Sequence, residues 1–155
     1  MVFLKKEEVK TERPELLQKE NIMTGCPCME KEQVIRTVGN MLVKGGYVSE
    51  AYVDGMLARE LTFSTNLGNG IALPHGVESA KENIRHTGIA VMIFPEGTDW
   101  DGEDVKLVIG IAASGEEHLN ILKNIAVTFS DEGTVEKVVS MQPEEIYQIL
   151  TGKGV

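Results

Sequence analysis

The sequence predicts an α/β protein, a single layered domain in which helices flank a mixed central sheet. Two short runs, TGIAVMIF (87–94) and VKLVIGIAA (105–113), are almost continuously apolar and rich in β-branched residues. Such runs are typical of strands that are covered on both faces. Segments with helical spacing of apolar residues lie on either side of them, and strands interleaved with helices favour layers of helix on sheet. The length of 155 residues suits one domain.

The first two elements are predicted to be helices. Apolar residues recur at helical spacing over 31–44, and Gly45 and Gly46 then supply a left-handed turn that ends the helix. Ser49 is a plausible N-cap for a second helix that runs to about Glu60. The residues expected to face inward from this second helix are Tyr52, Val53, Met56 and Leu57.

The remaining elements follow from turn and cap signals. A weaker strand is expected over 70–73, and the polar stretch 95–104 is interpreted as a loop between the two apolar strands. Ser114 and Glu117 fit a capping box at the start of a third helix. A final helix is expected from Pro143 to Gly152. The predicted inward stripe of the third helix is Leu119, Leu122, Ile125, Ala126 and Phe129.

Charge and composition exclude several classes of protein. The formal net charge is −9 and the pI is about 4.8, so the chain lacks the basic footprint of a nucleic-acid or anionic-membrane binder. No apolar stretch is long enough to span a bilayer. Residues 1–15 are predicted to be a charged extension without the apolar core of a signal peptide, which favours a cytoplasmic protein. The domain itself is expected to occupy residues 16–155.

The chain holds few groups with obvious chemistry. Its two cysteines, Cys26 and Cys28, are too few and too closely spaced for a metal site or an unstrained disulfide. Of the three histidines, His75 stands out, because LGNGIALPHG (67–76) places it at the end of a predicted strand between a proline and a glycine. A lone imidazole is nevertheless more often a packed or surface residue, and that interpretation stays open.

Two further residues are candidates for the same site. His118 is either an exposed residue in the first turn of its helix or a partner of His75, if the ends of the two strands lie side by side. Arg59 is either a cation that interacts favourably with the negative C-terminal end of its helix or a residue that binds a phosphate group. The third histidine, His86, lies in a charged run and is interpreted as surface. The side chains of Asn69 and Thr65 are considered as additional hydrogen-bond donors at the His75 site.

The chain resembles the enzyme IIA domains of the bacterial phosphoenolpyruvate-dependent sugar phosphotransferase system, in the mannitol/fructose class and most of all its mannitol branch. The likeness covers about Glu20 to Lys153, and its strength lies in the order and spacing of five segments. These segments are LVKGGYV (42–48), MLARE (56–60), LGNGIALPHG (67–76), FPEG (94–97) and LVIGIAASGEEHL (107–119).

The resemblance implies a role for each candidate. His75 would accept a phosphoryl group from the phosphocarrier protein HPr and pass it to a cysteine of the sugar-specific IIB protein, which works with the IIC permease. His118 would be the second active-site histidine, and Arg59 would steady the phosphorylated imidazole. The relay is expected to need no cofactor or metal, since the phosphate arrives on a protein. Neither nucleic acid nor direct membrane insertion is implied.

Two alternatives remain at this point. Relatives of the same fold act as regulatory phosphorylation switches, either of the nitrogen-regulatory type or as modules of transcription regulators. A hydrolase that binds a metal through His75, His118 and a carboxylate is a different class, and it is disfavoured because no histidine pair has metal-ligand spacing on one element.

Overall fold

The computed structural model describes residues 14–152, so all but two residues of the predicted extension lie outside the described part. The strands are β1 (Ile22–Met23), β2 (Asn66–Gly68), β3 (Ile71–Ala72), β4 (Gly88–Trp100) and β5 (Glu103–Ala112). The helices are α1 (Lys31–Lys44), α2 (Ala51–Thr62), α3 (Gly115–Thr128), α4 (Glu132–Val138) and α5 (Pro143–Thr151). Two 3-10 segments, Lys19–Asn21 and Glu78–Asn83, complete the assignment for this part of the chain.

The strands form one mixed sheet in the order β1-β4-β5-β3-β2, as the predicted fold class requires. The β1–β4 and β3–β5 pairs are parallel, whereas β4–β5 and β2–β3 are antiparallel. Alternate residues of β4 belong to two different apolar clusters: Met92 packs with residues of α1 and α2, and Val91 with residues of α3, α4 and α5. Both faces of the sheet are therefore covered, which explains the continuous apolar runs.

The predicted loop over 95–104 is wrong, because both central strands extend into it. β4 continues to Trp100, which is fully buried, and β5 begins at Glu103. The two residues between them, Asp101 and Gly102, have φ of 58° and 93°, the positive values of a two-residue hairpin turn. The polar composition was misleading, since Asp-Gly between strands is itself a hairpin signal.

The two N-terminal helices are largely as predicted. α1 has the expected bounds, and Gly46 adopts the left-handed conformation after it with φ of 87°, while Gly45 remains right-handed. The assignment of Ser49 as N-cap is wrong: Glu50 precedes the helix, and the Ser49 hydroxyl lies 3.1 Å from Oδ1 of Asn83. Tertiary contact with the 3-10 segment has replaced local capping.

The predicted packing of α3 is wrong in two respects. Ser114 does occupy the N-cap position, but its side chain makes no capping bond, and the Glu117 carboxylate instead accepts a hydrogen bond from the Thr87 hydroxyl at 2.5 Å. The buried stripe is Ile121, Ile125 and Phe129, so Ile125 and Phe129 are inward as predicted and Ile121 was missed. Leu119 and Ala126, predicted inward, are exposed, and Leu122 is half-buried. The last helix, α5, ends at Gly152 as expected, with φ of 72°.

Candidate active site

The site lies where two neighbouring parallel strands end. β3 pairs with β5 through Ile71 and Ala72, and the chain beyond β3 stays beside β5. His75 pairs with Ile111, whose N–H donates to the Pro74 carbonyl at 2.9 Å. His75 is thus held against the end of β5 at the edge of the sheet, as the sequence predicts.

The two candidate histidines meet at this edge. α3 begins three residues after the end of β5. His118, in the first turn of α3, therefore lies close to the end of β5, beside which His75 is held. The ring centroids are 4.7 Å apart and the rings are inclined at 65°. The expectation that the two imidazoles would meet is confirmed.

Hydrogen bonding defines which nitrogen of His75 is available. Its Nδ1 lies 2.8 Å from the carbonyl oxygen of Leu73. A carbonyl can only accept, so Nδ1 carries the proton and Nε2 carries a lone pair. The His75 ring is therefore oriented by a backbone group of the strand end from which it projects.

A cavity of about 410 Å³ opens over the two rings. Arg59 lines it, so the sequence-predicted trio of His75, His118 and Arg59 shares one cavity. The guanidinium Nη1 also donates to the Phe63 carbonyl at 2.8 Å, so Arg59 closes the last turn of α2 as well. The cavity is also lined by Tyr52, Ser114, Gly115 and Leu119, among others.

The site keeps both imidazoles neutral. Burial is the largest cause that lowers the pKa of His75. The neighbouring His118 ring and the positive Arg59 guanidinium lower it further, against the opposing Leu73 carbonyl. Burial likewise lowers the pKa of His118, with Arg59 adding to the effect. For His75, burial is therefore a larger cause of the lowered pKa than the neighbouring charges.

Substitution of Arg59 by Gln is expected to raise the pKa of His75 toward its ordinary value, because a nearby positive charge disfavours the imidazolium. The pKa of His118 should rise as well. The measurement is an NMR titration of the imidazole nitrogens. Arg36→Gln is the matched control, since Arg36 is paired with Glu32 on the exposed face of α1. An unchanged His75 pKa in the Arg59 variant would contradict this account.

Several residues considered from the sequence lie elsewhere. Thr65 is buried and bonded to Glu60, and Asn69 lines a different cavity, so neither is a donor to His75. His86 is half-buried and does not line the His75 cavity. Cys26 and Cys28 are free thiols, one buried and one exposed. Within residues 14–152 no group of three or more His, Cys, Asp or Glu side chains could hold a metal ion.

Sequence reasoning missed one residue that contacts the site. Tyr52 was predicted only as an inward-facing helix residue, but its hydroxyl reaches Gly76, directly after His75. Helical periodicity identifies a buried position and says nothing about where a phenol oxygen ends. No signal in the sequence by itself indicates this contact.

Comparison with known proteins places this geometry in a family. Residues 15–153 match the family model "Phosphoenolpyruvate-dependent sugar phosphotransferase system, EIIA 2". A mannitol-specific phosphotransferase enzyme IIA component from Halalkalibacterium halodurans is 47% identical over 127 residues, which cover 82% of this chain and 88% of the relative. The resemblance inferred from the motifs is confirmed.

Solved structures agree with the sequence matches. The crystal structure of IIA mannitol from Escherichia coli superposes with a TM-score of 0.80 at 38% identity, covering 86% of this chain and 98% of that one. An NMR structure of the complex of enzyme IIA mannitol and phosphorylated enzyme IIB mannitol from Escherichia coli gives 0.80 at 36% identity, covering 89% and 100%. No helix within residues 14–152 is long and apolar enough to cross a membrane.

Proposed function

The chain belongs to the EIIA 2 family of the phosphoenolpyruvate-dependent sugar phosphotransferase system, and from that premise we propose that His75 is the residue on which it carries phosphate. As a member of this family the protein is a phosphotransferase component. We propose further that phospho-HPr is the donor and that a mannitol-specific IIB protein is the acceptor, since the 47% identical relative carries the mannitol-specific name. The regulatory alternative is not favoured.

The observation that carries the proposal is the state of the His75 ring. Its Nδ1 proton is held by Leu73 and its Nε2 carries a lone pair in a cavity, so the nucleophile is prepared without a general base. In the first transfer Nε2 attacks phosphorus in line while the nitrogen–phosphorus bond of the donor histidine breaks. No proton has to leave His75, and the new phosphoimidazole keeps its Nδ1–H bond to the Leu73 carbonyl.

In the second transfer His75 changes from phosphoryl acceptor to phosphoryl donor. A thiolate of the IIB protein attacks the same phosphorus, a sulfur–phosphorus bond forms, and the nitrogen–phosphorus bond to Nε2 breaks. The electron pair returns to Nε2, which leaves as the neutral imidazole that the lowered pKa of His75 favours. Both steps exchange one labile bond for another, which keeps the relay reversible.

The cavity offers a positive charge and several hydrogen-bond donors to the transferring phosphoryl oxygens. Arg59 and His118 line it, and so do Ser114 and Gly115 at the start of α3, where backbone N–H groups lack helical partners. Ser114 makes no side-chain cap in this structure, so these N–H groups are not satisfied by its hydroxyl. Charge that develops on the equatorial oxygens would therefore meet donors that are already in place.

Apolar side chains beside the cavity suit a protein partner. Leu119 is 64% exposed and lines the cavity, and Phe63, which is 69% exposed, lies under the Arg59 guanidinium at 5.8 Å. Exposed apolar residues around a polar centre are typical of a docking surface. The two partners would use this surface in turn, each bringing its own nucleophile or donor to Nε2.

We expect Leu119→Ser to weaken docking of the donor by about 1 kcal/mol, which is about a fivefold rise in KM for phospho-HPr with kcat little changed. The measurement is the initial rate of phosphoryl transfer against donor concentration. Val127→Ser is the matched control, because Val127 is 67% exposed on the same helix and does not line the cavity. Equal effects of the two substitutions would exclude Leu119 from the docking surface.

The proposed function is tested by incubating the wild-type chain with phosphoenolpyruvate, enzyme I and HPr and measuring its intact mass. We expect a gain of one phosphoryl group that is labile in acid, as a phosphoimidazole should be. Subsequent addition of mannitol-specific or fructose-specific IIB proteins identifies the acceptor by loss of that group. Failure of phosphorylation, with the donor active on another IIA protein, would overturn the proposal.

Two assignments from the sequence remain part of the proposal. We place the protein in the cytoplasm, where HPr would meet it. We also take residues 16–155 as the phosphotransferase domain and residues 1–15 as an extension outside it. The family match over residues 15–153 supports this division.

A further inference from the structure

Tyr52 on α2 is almost completely buried, at 1% exposure, yet its hydroxyl lies at the active site. The oxygen accepts a hydrogen bond from the Gly76 N–H at 2.9 Å and donates one to the Ile111 carbonyl at 2.8 Å. Burial raises the pKa of Tyr52 to about 12, so the hydroxyl keeps its proton and can donate. Both partners are backbone groups that flank the pairing of His75 with β5.

The Tyr52 hydroxyl takes the place of one backbone hydrogen bond between the segment that carries His75 and β5. In a parallel pair with His75 opposite Ile111, the Ile111 N–H bonds to the Pro74 carbonyl, and the Ile111 carbonyl takes the Gly76 N–H. The first of these bonds is present at 2.9 Å. At the second step the Tyr52 hydroxyl stands between the two groups and bonds to both. The chain therefore separates from β5 directly after His75, and the Gly76 N–H and the Ile111 carbonyl each still have a hydrogen-bond partner.

The contact between Tyr52 and Gly76 is close. A Cβ atom added at Gly76 would lie 2.6 Å from Cε1 and 2.9 Å from Cζ of the phenol ring. Only glycine lets the backbone approach the ring to this distance, although Gly76 does not have a positive φ. The close approach of the Tyr52 ring thus explains why a glycine follows His75.

We propose that Tyr52 is a positioning residue for phosphoryl transfer, whose hydroxyl holds the His75 peptide so that Nδ1 faces the Leu73 carbonyl and Nε2 faces the cavity. The inference rests on His75 being the acceptor, as proposed above. The hydroxyl acts through the Gly76 N–H that follows the histidine and through the Ile111 carbonyl of the neighbouring strand, and it is bonded to backbone only. Loss of this restraint would let the ring leave the geometry that in-line attack requires.

Tyr52→Phe tests the proposal, because it removes one oxygen and keeps the ring in the core. We expect kcat for phosphoryl transfer from phospho-HPr to fall about tenfold with KM unchanged. The imidazole nitrogen shifts of His75 should move toward a mixture of tautomers, and the Gly76 amide should exchange faster. Tyr47→Phe is the matched control: Tyr47 is also fully buried, its hydroxyl accepts from Gln18 at 3.0 Å, and it does not line the His75 cavity.

The outcomes separate a positioning role from a structural one. Equal loss of kcat in the two variants, or an unchanged kcat and unchanged His75 spectrum in Tyr52→Phe, would overturn the proposal. If Tyr52→Phe does not fold, Gly76→Ala disturbs the same contact from the other side and should shift the same nitrogen signals. The nitrogen spectrum needs no donor protein, so a wild-type chain that is never phosphorylated would reject the proposed function while this positioning is still measured.

Discussion

Replacement of His75 by Gln is expected to reduce phosphorylation of the chain to background, a loss of more than about three orders of magnitude in rate. Gln retains much of the size and polarity of the side chain but has no nitrogen lone pair that can form a phosphoramidate. The measurement is intact mass after incubation with phosphoenolpyruvate, enzyme I and HPr. His86→Gln, at a half-buried histidine outside the cavity, should be phosphorylated like the wild type.

His118→Gln makes this test sharper, because the two rings lie only 4.7 Å apart and either could in principle receive phosphate. If His75 is the acceptor, the His118 variant should still reach one phosphoryl group per chain but about 10²-fold more slowly, since the flexible amide of Gln does not hold its N–H where the imidazole holds its donor. The reverse pattern, with slow labelling in the His75 variant and none in the His118 variant, would exchange the roles of the two histidines.

Replacement of Glu60 by Ala is expected to cost about 3 kcal/mol of the free energy of unfolding. The Glu60 side chain is 3% exposed and joins the end of α2 to the sheet. Its Oε2 accepts from the Thr65 N–H at 2.9 Å and from the Trp100 indole N–H at 3.0 Å, and its Oε1 accepts from the Thr65 hydroxyl at 2.6 Å. Alanine would leave these buried donors without a partner. The measurement is urea unfolding at constant m-value.

Glu60→Gln provides a matched control with its own expected value. The amide oxygen can replace Oε2 for the two N–H donors, and the amide nitrogen can donate to the Thr65 hydroxyl, which is free to rotate. We expect a loss of about 1 kcal/mol, from the weaker acceptor and the lost attraction to Lys31 at 3.8 Å. Glu136→Ala removes an exposed pair with Lys106 and should cost less than about 1 kcal/mol. A loss for Glu60→Ala no larger than that for Glu136→Ala would contradict this account of the network.

Local patterns predicted those elements whose signal lies within a few residues. The apolar period of 31–44 and the Gly152 cap gave correct bounds for α1 and the end of α5 because helix period and left-handed caps are local physics. The polar stretch 95–104 was misassigned because the burial of Trp100 depends on distant residues: its ring packs against residues of α1 and α2, and its indole N–H donates to Glu60. Ser114 and Glu117 were misassigned as a capping box because Thr87 is a competing partner that lies thirty positions away in the sequence.

The amino-acid sequence by itself determined the α/β class, the family, and the trio of His75, His118 and Arg59 as candidates, since motif order and strand ends can be identified along the chain. Only the tertiary structure decided that the two imidazoles touch, that Nε2 of His75 is the free nitrogen, and that Tyr52 stands in the ladder beside it. These features depend on distances between residues from separate elements, such as the 2.8 Å between the Tyr52 hydroxyl and the Ile111 carbonyl. Sequence patterns describe which side of an element is buried, whereas hydrogen bonds and pKa shifts arise from the atoms that packing brings into contact.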